Sequence, residues 1–202
     1  MYVIGITGGA GAGKTEILKY IREQCSCKIL LADDIGNLLK EKGQECYEPL
    51  VALLGKEVLD QDGSISHTKM AAKIFSDGEL LKQVNALIHP AVRRYLLHAM
   101  ETEREKGEAD FFFVEAALLI ECGYQAMVDE MWYIYADESV RRKRLKENRG
   151  YEDARIDGIF KKQLSEQQFK EACDRVIDNS GAMEDTEKQI DQILGDPLWK
   201  MH

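Results

Sequence analysis

This sequence of 202 residues has no long apolar run, no proline-rich segment and no excess of positive charge. No apolar stretch approaches the roughly 18 residues of a membrane-spanning helix, so no membrane partner is expected. The net charge of −9 argues against a protein whose main task is to bind nucleic acid, because such proteins are usually basic. Without internal repeats or linker-like segments, the length predicts one domain with an inserted subdomain.

Cysteine is present, but its five copies do not follow the spacing of a disulfide framework. Cys25 and Cys27 form a C-x-C pair, which alone is weak evidence for a metal site. Free thiols in a reducing cytosol are therefore expected. A first strand that begins at residue 2 leaves no room for a signal peptide, which also predicts a cytoplasmic location.

The most informative segment is a glycine-rich loop close to the N-terminus. Residues 8–15 read GGAGAGKT and match the phosphate-binding pattern G-x-x-x-x-G-K-[ST], which ends in Lys14 and Thr15. The preceding residues 2–6 form an apolar, β-branched run typical of a buried strand, and apolar residues recur at helical spacing over 17–21. A strand, a glycine loop and a helix in this order favour a nucleotide site over a chance match in a turn.

Each residue type in the loop has a chemical reason. Glycines allow positive φ and turn N–H groups inward, where they and the helix N-terminus bind phosphate oxygens. Lys14 is expected to reach the β- and γ-phosphates, and the Thr15 hydroxyl is expected to ligate Mg²⁺. The expected nucleoside triphosphate site comprises Gly8, Gly11, Ala12, Gly13, Lys14, Thr15 and Glu16, with Asn179 in a turn near the base.

Apolar runs alternate with helical patterns along the chain, which predicts an α/β protein. Strands are expected at residues 2–6, 28–31, 111–117, 131–136 and 175–177. Such alternation is typical of a parallel sheet covered by helices on both faces, with ligands at the carboxyl ends of the strands. The predicted fold is a three-layer α/β/α P-loop fold with a five-stranded parallel sheet.

The long interval between the second and third strands predicts a helical insertion at about residues 37–107, with the core at about 1–36 and 108–202. Two apolar stripes lie in it, over 80–88 and 92–99. Pro90 separates them and is expected at the start of the second helix. An insertion at the strand ends is a suitable place for an acceptor-binding domain.

Two carboxylates follow or interrupt predicted strands. Asp33 comes directly after the second strand and could accept a proton from an attacking hydroxyl, help to hold Mg²⁺, or cap a helix. Glu115 lies inside an apolar strand, where a charge is costly unless it is paired or bound to a metal. It therefore suits either a position near Mg²⁺ or a salt bridge.

A basic island at residues 141–149 contrasts with the acidic remainder of the chain. Its arginines could neutralise phosphoryl charge from a mobile lid, at about residues 138–165, or form a solvated helix face. His89, just before Pro90, could equally be functional or structural.

Taken in order, these residues resemble the dephospho-coenzyme A kinase family, over nearly the whole chain. The matching segments are residues 7–15, 31–36, His89-Pro90, 115–121, Arg144 with Arg149 and Gln163, and 173–181.

The resemblance implies transfer of a phosphoryl group from ATP to the 3′-hydroxyl of dephospho-coenzyme A, the last step of coenzyme A synthesis. Mg²⁺ would be the cofactor. It implies catalytic roles for Lys14, Asp33, Arg144 and Arg149, and acceptor binding by Asp33, His89, Glu115 and Leu118.

The chain departs from the family pattern at several positions, among them Leu31, Glu16, Glu115 and Ala117. Glu16 places a negative charge where contact with an α-phosphate is expected. Two alternatives remain: a P-loop kinase for another nucleoside or nucleotide, and a non-catalytic homologue that binds coenzyme A precursors. A GTPase is disfavoured because the guanine-reading N-K-x-D pattern is absent from the sequence.

Overall fold

The computed structural model describes residues 1–75 and 77–195. The strands are β1 (Tyr2–Thr7), β2 (Cys27–Leu31), β3 (Phe111–Glu115), β4 (Glu130–Tyr135) and β5 (Arg175–Asp178). The helices are α1 (Lys14–Gln24), α2 (Ala32–Leu38), α3 (Tyr47–Leu54), α4 (His67–Phe75), α5 (Gly78–Lys106), α6 (Glu138–Arg149), α7 (Asp153–Phe160), α8 (Glu166–Ala172) and α9 (Met183–Leu194).

The five strands form one sheet in the order β2-β3-β1-β4-β5. β1 pairs in parallel with both β3 and β4, and β4 pairs in parallel with β5. The central strands are apolar along most of their length because parallel strands covered on both faces have no solvent side, and Ile4, Phe112 and Trp132 are fully buried. The predicted α/β fold with a five-stranded parallel sheet is confirmed.

Contacts divide the chain into two units. The first comprises residues 1–30 and the chain from residue 100 onward, and the second comprises residues 31–99. The predicted insertion, about 37–107, starts and ends later than the second unit. The contacts assign all of α2 to the second unit and the last turns of α5 to the first.

The second unit has its own small core. Gly36 on α2 lies against Ile88 and Val92 of α5, since a Cβ at Gly36 would stand 3.7 and 3.8 Å from their methyl groups. Leu50 and Leu54 of α3 are fully buried. Apolar packing therefore holds these helices together.

The prediction that Pro90 begins a helix is wrong. Pro90 lies inside α5, which runs without interruption from Gly78 to Lys106. An internal proline costs a helix about 3 kcal/mol, because it lacks a donor and crowds the preceding turn. Val84, Val92 and Leu96 are buried at spacings of eight and four residues, so one apolar stripe continues past the proline and offsets this cost.

The third strand is shorter than predicted: β3 ends at Glu115, and Ala116 and Ala117 begin the following loop. Alanine is less common in strands than β-branched or aromatic residues. Ala116 and Ala117 therefore do not favour a continuation of β3 past Glu115. Within the described residues, no helix is both long enough and apolar enough to cross a membrane.

Candidate active site

The glycine loop connects the carboxyl end of β1 to the first residue of α1, as the sequence predicts. Gly13 is the N-cap of α1 and has φ of 94°, a backbone conformation that residues with a Cβ rarely adopt. A Cβ at Gly13 would also lie 2.2 Å from Nδ2 of Asn179. Only glycine fits at position 13, because the backbone has positive φ and the Asn179 side chain leaves no room for a Cβ.

The other loop residues pack closely against their surroundings. A Cβ at Gly8 would stand 2.5 Å from the carbonyl oxygen of Ile134 in β4, and one at Gly11 would stand 2.7 Å from the carbonyl oxygen of Arg141. Ala12 is buried and donates its N–H to the carbonyl oxygen of Gly9 at 3.1 Å. The loop is therefore seated between β4 and α6.

Lys14 is positioned by two partners within the first unit. Its Nζ donates to the carbonyl oxygen of Gly8 at 2.8 Å and lies 3.3 Å from Oε1 of Glu115. The two side chains are only 14% and 13% exposed. Glu115 is in register with Ile6 of β1, which brings its carboxylate to the strand end from which the loop departs. Of the two interpretations of Glu115, the salt bridge is the one formed here.

Asn179 follows β5 directly, and its side chain is buried against the loop at 3% exposure. Its Nδ2 donates to the carbonyl oxygen of Ala12 at 2.7 Å, and its Oδ1 accepts from the Thr186 hydroxyl at 3.1 Å. Both ends of the amide are thus occupied by protein. This side chain positions the loop, and its contact with ATP stays a prediction.

Arg141 makes the closest link between the basic island and the loop. Its Nε donates to the carbonyl oxygen of Ala10 at 3.0 Å, and its Nη2 donates to Oε1 of Gln163 at 2.6 Å. The guanidinium lies over the Phe160 ring, 4.3 Å from the centroid. Burial lowers the pKa of Arg141, yet an arginine remains charged in proteins.

Catalytic roles were predicted for Arg144 and Arg149, and Arg141 was predicted only as part of the basic island. Arg144 also reaches the loop, where its Nη1 donates to the carbonyl oxygen of Ala12 at 3.3 Å. Arg149 is the last residue of α6 and is exposed. A spacing of three residues places Arg141 and Arg144 on one helix face, and this spacing was the available signal.

Two other members of the island are engaged on the surface. Arg142 pairs with Asp153 at 3.0 Å and with Asp157 at 2.7 Å, and Lys146 pairs with Asp153 at 2.8 Å. These ion pairs join α6 to α7. The island is therefore divided between residues that face the loop and residues that form a solvated network.

Thr15 and Glu16 occupy the first turn of α1 and are exposed. The Glu16 carboxylate pairs with Nζ of Lys19 at 2.8 Å. The Thr15 hydroxyl and the Glu115 carboxylate are oxygen donors, the ligand type that Mg²⁺ prefers. Among the described residues no group of three or more acidic, His or Cys side chains forms a metal cage.

In the second unit, Asp33 lies in the first turn of α2 and is exposed. The alternative that Asp33 caps this helix is wrong: Leu31 is the N-cap, and no side chain caps the helix. β2 ends at Leu31 and α2 begins at Ala32, two residues earlier than a cap at Asp33 requires. Burial lowers the pKa of Lys40, and its attraction to Asp33 opposes this shift.

The remaining predicted acceptor residues lie in different surroundings. His89 is in α5 and is partly buried, and burial lowers its pKa. Leu118 lies in the loop after β3 and is 48% exposed. A large apolar side chain with this exposure is available for contact with a ligand.

A glycine loop between a central parallel strand and a helix, with its lysine at the strand end, defines a P-loop nucleotide-binding protein. The sequence profile of dephospho-CoA kinase matches residues 2–185. The chain belongs to the dephospho-CoA kinase family.

Individual relatives agree with this assignment. The chain is 31% identical over 195 residues to a dephospho-CoA kinase of Oceanobacillus iheyensis, covering 95% of this chain and 96% of the relative. It resembles the crystal structure of TT1252 from Thermus thermophilus with a TM-score of 0.82 and 26% identity, over 96% of each chain. A dephospho-CoA kinase of Campylobacter jejuni shares the fold, with a TM-score of 0.71 at 20% identity over 98% and 97% of the chains.

Proposed function

We propose that this chain transfers the γ-phosphoryl group of ATP to the ribose 3′-hydroxyl of dephospho-coenzyme A, giving coenzyme A and ADP. The observation that carries the proposal is the family match over residues 2–185 together with an intact loop lysine, Lys14, held at the end of β1. A cytoplasmic location belongs to the same proposal. Its support is that the five cysteines of the sequence do not follow the spacing of a disulfide framework, as expected in a reducing compartment.

In the proposed reaction the acceptor oxygen forms a bond to the γ-phosphorus while the bond from that phosphorus to the β–γ bridging oxygen breaks. Asp33 accepts the proton of the acceptor hydroxyl, since a carboxylate suits this role. Lys14 turns from Gly8 and Glu115 toward the β- and γ-phosphates, where its charge offsets the charge of the transferring group.

Mg²⁺ would be held by the Thr15 hydroxyl, which is exposed at the loop, and by the phosphates of ATP. When bound, it neutralises charge on the β- and γ-oxygens. Gly8, Gly11 and Gly13 contribute backbone N–H groups to the phosphates. Ala12 is proposed to line the ATP site, with its N–H bound to the carbonyl oxygen of Gly9. His89, Glu115 and Leu118 are proposed to contact the acceptor, and α6 and α7 are proposed to form a lid.

An acceptor panel tests the substrate assignment. Among dephospho-coenzyme A, adenosine and nucleoside monophosphates, we expect dephospho-coenzyme A to give the highest kcat/KM when ADP release is followed. The family match supports this expectation. So does the second unit, because its 69 residues (31–99) are more than the binding of a single nucleoside requires. A nucleoside with a higher kcat/KM would favour the alternative kinase, and no turnover with any acceptor would favour a non-catalytic homologue.

The lid is tested by arginine variants on α6. Arg149→Ala and Arg144→Ala are expected to lower kcat about tenfold or more and to weaken ATP binding less, because charge on the phosphoryl group develops in the transition state. Lys143→Ala is the matched control, because Lys143 is an exposed residue of the same helix. Its Nζ lies 3.9 Å from Oε1 of Glu147, a long distance for an ion pair. Its kcat should not change.

Hydrogen exchange over residues 138–165 provides an independent measurement. We expect slower exchange when an ATP analogue and the acceptor are both present, because a closing lid excludes water. Unchanged exchange together with unchanged kcat in both arginine variants would reduce the island to a solvated helix face.

A further inference from the structure

A cavity of about 480 Å³ begins at the glycine loop and continues along α1. It lies entirely within the first unit. Its walls come from α1, from α6 and from α9. Its charged lining residues, together with Gly13 at the loop, include Glu16, Lys19, Glu23, Arg144 and Glu187.

The cavity has an ordered distribution of charge. At the loop end, Nη1 of Arg144 lies 3.4 Å from the position of a Cβ on Gly13, so this end is suited to phosphate. Away from the loop the lining turns acidic with Glu16, Glu23 and Glu187. Carboxylates accept hydrogen bonds and repel anions, so this part suits a neutral group that carries donors.

Glu16 is the first side chain of α1 in the cavity beyond Gly13. Three residues of α-helix rise about 4.5 Å, which brings the backbone of residue 16 level with the α-phosphate of a nucleotide whose β- and γ-phosphates occupy the loop. The Glu16 side chain is long enough to reach one group further. In a nucleoside triphosphate, the group that follows the α-phosphate is the ribose. Its neighbouring 2′- and 3′-hydroxyls offer two donors, and a carboxylate offers two acceptor oxygens.

Glu16 is ready for such a contact. Its side chain is 65% exposed, and its pair with Lys19 at 2.8 Å offsets its charge. Lys19 therefore reduces the repulsion that a carboxylate would otherwise exert on the nearby phosphates. The family pattern has Ser or Thr at this position, so the Glu16 carboxylate adds a negative charge that is unfavourable for contact with a phosphate alone.

We propose that Glu16 binds the ribose 2′- and 3′-hydroxyls of the donor nucleotide and makes this chain select ribonucleotides over deoxyribonucleotides. The inference rests on the proposed function, because the nucleotide must bind with its phosphates in the loop. Hydrogen bonds to a charged acceptor are about twice as strong as neutral ones, so loss of one hydroxyl should be readily measured.

The test is equilibrium binding of ATP, 2′-deoxy-ATP and 3′-deoxy-ATP to the full chain, with and without Glu16→Thr. We expect the wild type to bind ATP more tightly than either deoxynucleotide, by about tenfold or more, in line with one charge-assisted hydrogen bond. Glu16→Thr should reduce this ratio to about twofold or less. Because the measurement is a ratio, a general loss of stability does not mimic the effect.

Lys19→Met is the second variant. It leaves the Glu16 carboxylate unneutralised, so all three nucleotides should bind more weakly by the same factor while the ratio persists. Equal binding of the three nucleotides by the wild type would overturn the proposal. So would tighter binding of ATP to Glu16→Thr with an unchanged ratio, since this would assign Glu16 to repulsion of the phosphates.

The proposed function and this inference can fail separately. Ribonucleotide preference without ADP release on addition of dephospho-coenzyme A would overturn the acceptor assignment and support the role of Glu16. Turnover with dephospho-coenzyme A, together with equal use of ATP and 2′-deoxy-ATP, would support the acceptor assignment and overturn the role of Glu16. No binding of any nucleotide would overturn both.

Discussion

Lys14→Ala is expected to lower kcat for phosphoryl transfer by roughly 10³-fold or more, the range found when a main source of transition-state charge is removed. The fold should survive, because Lys14 lies outside the apolar core and its Nζ is held by the loop and Glu115. Loss of the pair leaves Glu115 partly buried without its cation, which costs some stability. A thermal unfolding curve, measured beside the single-turnover rate, separates these effects.

Lys188→Ala serves as the control for charge alone. Lys188 is an exposed lysine on α9 that pairs with Asp185 at 3.0 Å, and exposed pairs contribute little to stability. Its removal should leave both kcat and the unfolding temperature unchanged. If Lys14→Ala turned over at a near-normal rate, the nucleotide assignment of the loop would be lost.

Asp33→Asn is expected to lower kcat by about 10²-fold or more, the usual contribution of a general base. The substitution keeps the shape of the side chain and removes its charge. Asp33 is exposed in the first turn of α2, so the loss of its favourable interaction with the helix dipole costs only about 0.3–1 kcal/mol. The readouts are kcat in steady state and the free energy of unfolding in urea.

Asp34→Asn is the matched variant, because Asp34 is the next residue in the same exposed turn. It should lose a similar small amount of stability and keep kcat. If both variants kept the kcat of the wild type, Asp33 would have no role as the general base, and its role would be structural, at the start of α2.

Local patterns were enough to predict the strands and the loop. Buried parallel strands have no polar face, so runs such as residues 111–114 are recognisable without knowledge of their neighbours. The glycine loop is equally local, since the motif, its strand and its helix are contiguous. The strand order was not predictable in this way, because β1 pairs with strands more than a hundred residues away.

The site was less predictable wherever a residue acts through a distant partner. Asn179 is separated by 167 positions from Ala12, whose carbonyl oxygen it binds, and no local pattern indicates that contact. Arg141 stood within a visible basic run, but the run does not show which members face the loop. Pro90 was misjudged because apolar packing on both sides outweighed the local preference of proline for helix starts.

The contacts around the glycine loop also determine which polar groups it can offer to a ligand. The carbonyl oxygens of Gly8, Gly9, Ala10 and Ala12 each accept a hydrogen bond from within the protein. With these acceptors occupied, the loop presents mainly N–H donors to its interior. Such a surface has a built-in polarity that attracts anions and offers little to a bare cation. Because the polarity exists before any nucleotide arrives, binding needs little backbone reordering, and less of the binding free energy is spent on entropy.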